Sequence, residues 1–174
     1  FNIFKDTGIP LIWNQAHFAV NYNSINFHLE NGCTSAVISN EITKEEIDEI
    51  INNSIKTLIL PIFGKNNIMY SRRTLLTNFN KHAGLNDYND MVLNEKITSN
   101  KFLARESEYG TYIFNNTYFN YVSLIPKYED EVMFFLVLNL DLSVGEIKDV
   151  IDGKNYGDDG FLNKKTVFKL EDYK

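Results

Sequence analysis

The 174 residues are 44% apolar and 23% charged, a globular composition for about one domain. Seventeen basic against 23 acidic residues give a net charge of −6, which argues against a broad nucleic-acid footprint while leaving room for a local basic groove. Three prolines exclude a Pro-rich linker, no run nears the roughly 18 apolar residues of a membrane span, and the lone Cys33 excludes a disulfide scaffold and fits a reducing cytoplasmic setting.

Residue 1 is Phe, and the opening reads as mid-protein sequence, so the chain is expected to be part of something longer. Residues 9–14 (IPLIWN) form a short apolar run with Pro10 where a strand tolerates proline. Over 23–31, apolar Ile25, Phe27 and Leu29 among polar residues, followed by Gly32, predict a helix and its stop. Residues 36–39 read as a second, buried strand. Thr43 and Glu46 are spaced as a capping box, and Ile47, Ile50, Ile51 and Ile55 continue as a helical stripe. Residues 58–63 (LILPIF) are a third strand closed by Gly64. This alternation predicts a parallel sheet with 11–13, 36–38 and 58–60 as neighbours.

Further on, 64–67 and 70–73 read as loop, 73–82 as helix and 88–93 as a helical turn. The runs 101–106 and 110–115 alternate around 107–109 and predict a hairpin. Residues 131–140 form a long apolar strand. Ser143 and Glu146 make a second capping box opening a helix to Ile151, then come a Gly/Asp-rich loop at 152–160 and a short strand at 166–170.

Parallel α/β folds place their sites beyond the carboxyl ends of the strands. Those ends carry Asn14-Gln15-Ala16-His17, Ser39-Asn40-Glu41 and Gly64-Lys65-Asn66-Asn67. Glu41 is the carboxylate of these clusters, and His17 stands at a strand end. Tyr70-Ser71-Arg72-Arg73 precedes a helix. Paired arginines there oppose the helix dipole, and their guanidinium forks suit carboxylates and phosphates. Asn40, Glu41, His17, Gly64, Ser71, Arg72 and Arg73 are therefore expected to converge on one pocket, with Glu41 in ion-pair reach of Arg72 or Arg73. His82 suits a helix end and His28 a helix interior. Cys33 lies away from the strand-end face and is expected to be structural. CxxC, HExxH and Gly-rich phosphate-loop patterns are missing.

Asn21-Tyr22-Asn23-Ser24, Ile38-Ser39-Asn40-Glu41-Ile42, Phe63-Gly64 and the run from Tyr70 through Arg72, Arg73 and Leu75 to Asn78 occur in an order and spacing that resembles the bacterial collagenase-like peptidases, peptidase family U32. Gly110-Thr111-Tyr112-Ile113-Phe114-Asn115 and Thr166-Val167-Phe168-Lys169 fit the same pattern. The resemblance implies an α/β fold that is the later part of a TIM-like (β/α) barrel. Residues 1–152 would be barrel with a hairpin insertion near 101–115, and 153–174 a small β-containing extension. It implies peptide hydrolysis, with Glu41 as general base or metal-binding carboxylate, His17 assisting, and Arg72 or Arg73 holding a substrate carboxylate or developing oxyanion. Asn14, Asn21, Asn40, Gly64, Ser71 and Arg105 would line the substrate site for a peptide or small acidic molecule. A divalent metal is compatible with this set. An iron–sulfur cluster is not, since Asn67 and Thr74 stand where the family often has cysteines and Cys33 alone cannot hold one. Some relatives modify RNA, which makes Lys65, Arg72, Arg73 and Arg105 alternative phosphate contacts; a non-catalytic interaction domain is the third reading. A partner subunit or an upstream half would complete the barrel.

Overall fold

The computed structural model describes residues 4, 7–15, 17–86, 88–154 and 156–164. The expected strand at 166–170 lies outside the described residues. In chain order the elements are β1 (Ile12–Trp13), α1 (Tyr22–Glu30), β2 (Ser35–Ala36), α2 (Lys44–Asn53), β3 (Leu58–Gly64), β4 (Asn67–Ser71), α3 (Leu75–Ala83), β5 (Asp90–Asn94), β6 (Lys101–Ser107), β7 (Gly110–Asn115), β8 (Phe119–Asn120), a 3-10 turn at Val122–Leu124, α4 (Ile125–Tyr128), β9 (Val132–Leu138) and α5 (Val144–Ile151). They fall into two compact units, one running to Gly64 and resuming at Phe119, the other Lys65–Tyr118.

In the first unit β1 runs parallel to β2, with Trp13 opposite Ala36. Val37 then bridges Ile59 in parallel, and β3 runs parallel to β9. The three strands expected as parallel neighbours are neighbours. All seven positions of β3 are buried, as a parallel strand covered on both faces requires. Pro61 sits in this strand at a register shift, where no ladder donor is demanded of it. Helix α1 buries Ile25 and Leu29, and α2 buries Ile47 and Ile50 against Ile38, Leu58 and Leu60. Both capping boxes form: the Glu46 carboxylate accepts the Thr43 N–H at 2.7 Å, and that of Glu146 accepts the Ser143 N–H at 2.8 Å. Helix α2 ends at Asn53, so Ile55 leaves the stripe and is exposed. The Asn26 amide stops α2 there, donating to the Asn53 carbonyl and accepting from the Ile55 N–H.

The second unit is a four-stranded antiparallel sheet, β4-β7-β6-β5, with α3 on one face. The expected hairpin is β6–β7, and two further elements correct the sequence reading. Residues read as loop form β4, with Tyr70 opposite Tyr112, because the edge of β7 supplies the pairing that a short, polar-ended segment does not advertise. The helical turn expected at 88–93 is instead strand β5, whose exposure alternates with period two as it pairs with β6. Helix α3 begins at Leu75 rather than Arg73. The unit closes on itself: the Asn115 N–H donates to the Asn66 carbonyl at 2.9 Å, and Lys65 Nζ lies 4.7 Å over the Tyr118 ring. The fold is mixed α/β with open sheets, and no closed barrel is present among the described residues.

Candidate functional site

Trp13 ends β1, and the loop behind it carries Asn14, Gln15 and His17 before Asn21 caps α1 by accepting the Ser24 N–H at 2.9 Å. The Ser39 N–H donates to the Ala19 carbonyl at 3.0 Å, which draws this loop against the residues that follow β2. Ser39 Oγ in turn accepts the Glu41 N–H at 3.1 Å. The result is an imidazole–carboxylate pair, His17 Nδ1 to Glu41 Oε2 at 3.3 Å. The imidazole side chain is 63% exposed and the carboxylate 29%, so the pair faces solvent on one side. With Nδ1 turned to the carboxylate, Nε2 is the nitrogen available to take or give a proton.

The backbone beneath Glu41 is fastened from the far end of the chain. The buried Tyr121 hydroxyl donates to the Asn40 carbonyl at 2.8 Å and accepts the Phe161 N–H at 3.0 Å. Burial pushes the Tyr121 phenol up to about 12 despite that second bond, so it stays a neutral donor. Gly160 lets the segment approach: a Cβ there would lie 2.4 Å from the Tyr121 hydroxyl, and its φ of +54° is left-handed. Leu162 enters the core, and its carbonyl accepts the Lys44 N–H at 3.1 Å. Residues 158–162 thus pack on the loop between β2 and α2.

Two of the cavities among the described residues of the first unit bear on the site. One of about 610 Å³ lies between the end of β1 and α1, lined by Trp13, His17, Phe18, Val20, Asn21 and His28 among others. Another of about 680 Å³ lies against α4 and the end of α5, with Asn120, Ser123, Asp158 and Asp159 in its wall. As metal ligands, His17 and Glu41 fall one short of the three protein groups of a catalytic zinc site. No group of three or more His, Cys, Asp or Glu side chains suited to a metal occurs among the described residues. The residues present do not by themselves fit a metal centre.

The structure brings together His17, Glu41, Asn21 and the main chain of Asn40. Asn14 is exposed in the same loop. Gly64 has a packing role: a Cβ there would meet Leu138 Cβ at 2.5 Å across the β3–β9 ladder. Ser71, Arg72, Arg73 and Arg105 belong to the second unit. There the Ser71 hydroxyl accepts the Arg73 N–H at 3.2 Å, and the two arginines are exposed at the entry to α3. Arg105 is held bidentate by Asp90 at 2.8 and 2.7 Å, and that guanidinium keeps the Asp90 carboxyl below the usual range. Glu41 pairs, within its own unit, with His17.

Sequence reasoning missed Tyr121, Gly160 and Phe161, for which Gly160 behind two aspartates was the one available signal. Glu106 was open to sequence reasoning only as a partner for the paired arginines, and its capping role was missed. This buried carboxylate accepts the N–H groups of Leu76 at 2.8 Å and Thr77 at 3.1 Å and meets the hydroxyls of Thr77 and Thr111, so a strand side chain caps α3. Burial alone would raise its pKa; these donors outweigh burial and lower it. On the opposite face of the same sheet, Tyr70, Tyr112 and Phe114 form a row of rings with centroids 4.8 and 6.2 Å apart.

The model of peptidase family U32 matches residues 5–132. No curated protein and no solved structure matches the chain.

Proposed function

We propose, for a chain that belongs to peptidase family U32, that the His17–Glu41 pair is the proton-transfer centre of a peptide hydrolase. The observation that carries this reading is the 3.3 Å contact between His17 Nδ1 and Glu41 Oε2 at adjacent strand ends, beside a cavity. Glu41 orients the ring and balances the charge it acquires. His17 Nε2 takes a proton from the water that attacks the scissile carbonyl and returns it to the leaving amine. The roles that the resemblance implied are thereby exchanged: His17 is the base and Glu41 the positioning carboxylate. The order β1-β2-β3-β9, all parallel with intervening helices, supports reading the first unit as a segment of a (β/α) barrel with its site on the carboxyl face. No described helix is long and apolar enough to cross a membrane. The single buried cysteine supports a cytoplasmic setting.

The test is hydrolysis of a fluorogenic peptide library by the wild type, His17→Gln and Glu41→Gln. Each variant should lose about 10²–10⁴-fold in kcat with unchanged circular dichroism, the range for removing a general base. Full activity in a folded His17→Gln protein sinks the assignment.

A second reading, RNA binding by the second unit, is favoured by the aromatic row Tyr70–Tyr112–Phe114. Seven basic and five acidic residues fall within Lys65–Tyr118, a net +2 in a chain of −6. Rings of this kind stack on unpaired bases, and the exposed Arg72 and Arg73 are candidate phosphate contacts. Single-stranded RNA binding that weakens steeply with salt and is lost in Tyr112→Ala would establish it; salt-independent or absent binding would remove it.

A further inference from the structure

The cavity beside His17 differs in chemistry from the pair on its rim. Its floor is a stack: the Trp13 indole and the His28 imidazole lie 3.9 Å apart at 25°. Phe18, 66% exposed, and Val20, 39% exposed, present apolar surface along its wall. The polar lining is largely committed to the chain itself. Asn21 Oδ1 accepts the Ser24 N–H, and Ser24 Oγ lies 3.1 and 3.0 Å from the carbonyls of Phe18 and Asn21. Among the described residues, no carboxylate, lysine or arginine lines the space. A charged ligand group entering it would lose hydration and find no ion-pair partner in the lining beyond the rim imidazole, whereas an apolar one would cover surface now wet. The volume of about 610 Å³ falls within the roughly 300–1,000 Å³ of small-ligand pockets.

We propose that this cavity is the specificity pocket for a large apolar side chain of the substrate peptide, aromatic by preference. The proposal rests on the hydrolytic reading of His17 and Glu41, because His17 stands in the pocket wall and a peptide anchored there presents its backbone to that imidazole. A ring in the pocket meets the indole–imidazole stack in offset or edge contact and packs against Phe18.

The chain's one tryptophan lines the pocket, which gives a readout independent of turnover. Trp13 emission is titrated with N-acetyl-phenylalanine amide, N-acetyl-leucine amide, N-acetyl-lysine amide and N-acetyl-glutamate amide, on wild type and on Glu41→Gln. A saturable change is expected for phenylalanine, weaker for leucine, and about tenfold or more weaker for the charged amides. It should be equal in the two proteins, since Glu41 does not line the pocket. Phe18→Ala, at an exposed position, should weaken phenylalanine binding by about tenfold, and Val20→Glu should do the same by placing a charge in the apolar lining. Equal response to charged and apolar amides, no saturable response, or insensitivity to both substitutions overturns the proposal. Binding with aromatic preference but no hydrolysis by wild type defeats the hydrolytic reading and leaves the pocket standing. Hydrolysis indifferent to the side chain does the reverse.

Discussion

Replacing Tyr121 by phenylalanine removes one oxygen from the core of the first unit and no carbon, so no apolar cavity is created. What is lost is a donor to the Asn40 carbonyl at 2.8 Å and an acceptor for the Phe161 N–H at 3.0 Å. Tyr121 is fully buried, so water does not take the vacated place at once. A buried polar group left without its partner costs about 1–3 kcal/mol. The part-buried Phe161 N–H can recover water and the Asn40 carbonyl has two lone pairs, so the total stays within that range, about 1–3 kcal/mol. For a chain of this size each kcal/mol lowers Tm by about 2–4 °C. Urea denaturation followed by Trp13 fluorescence should show the midpoint falling at unchanged slope. Because the phenol titrates only near 12, the difference between wild type and variant should be constant from pH 6 to 9. Hydrolysis should fall as well, since one of the bonds that hold the chain beneath Glu41 is gone. A loss below about 0.5 kcal/mol, or one that changes with pH in that window, would refute the claim that this hydroxyl ties residues 158–162 to the site loop.

Glu106→Gln should destabilise the second unit by about 1.5–3 kcal/mol at pH 7, because the carboxylate accepts two amide and two hydroxyl hydrogen bonds. Its folded pKa is lowered, so its contribution is complete above the ordinary glutamate range and is lost as pH falls through the folded value. Chemical denaturation at several pH values should show the wild type's advantage shrinking below about pH 4, and an advantage that persists there contradicts the role. Cys33 is 2% exposed and burial pushes its thiol up against the pull of Lys56, so a thiol reagent at pH 7.5 should label it only on unfolding. Cys33→Ser should keep full hydrolysis; rapid native labelling or lost activity would make it a functional thiol.

Features written in a few adjacent residues were legible. The boxes at Thr43 and Ser143 need only the residue three places on, and both form. The three parallel strands announce themselves as apolar runs between helical patterns. His17 and Glu41 were each visible as polar residues behind such a run. Strands β4 and β5 were not legible, because Asn67–Ser71 and Asp90–Asn94 are short and polar at their ends and owe their conformation to partners in β7 and β6. Tyr121 and Glu106 were hidden for the same reason. A tyrosine looks the same in sequence whether its hydroxyl meets water or a carbonyl 81 positions away. The identity of the Glu106 partners, 29 and 30 positions upstream, is a property of the packed unit.

The self-closure of Lys65–Tyr118, with Asn66 bonded to Asn115 and Lys65 over Tyr118, bears on how the parallel β3–β9 ladder is reached in time. If that segment were unstructured, bringing β9 to β3 would close a long loop. A segment whose two ends already meet behaves as a short link, and the entropy saved by such shortening is about 2 kcal/mol. Two of the three pairings in the antiparallel sheet, β5–β6 and β6–β7, are hairpin-range contacts, which favours its early formation, while β4–β7 closes over about 40 residues. The sheet is expected to form ahead of the parallel pairing and to deliver Phe119 beside Gly64, its antiparallel partner. A short Gly/Ser bridge between Gly64 and Phe119 should serve the same kinetic purpose.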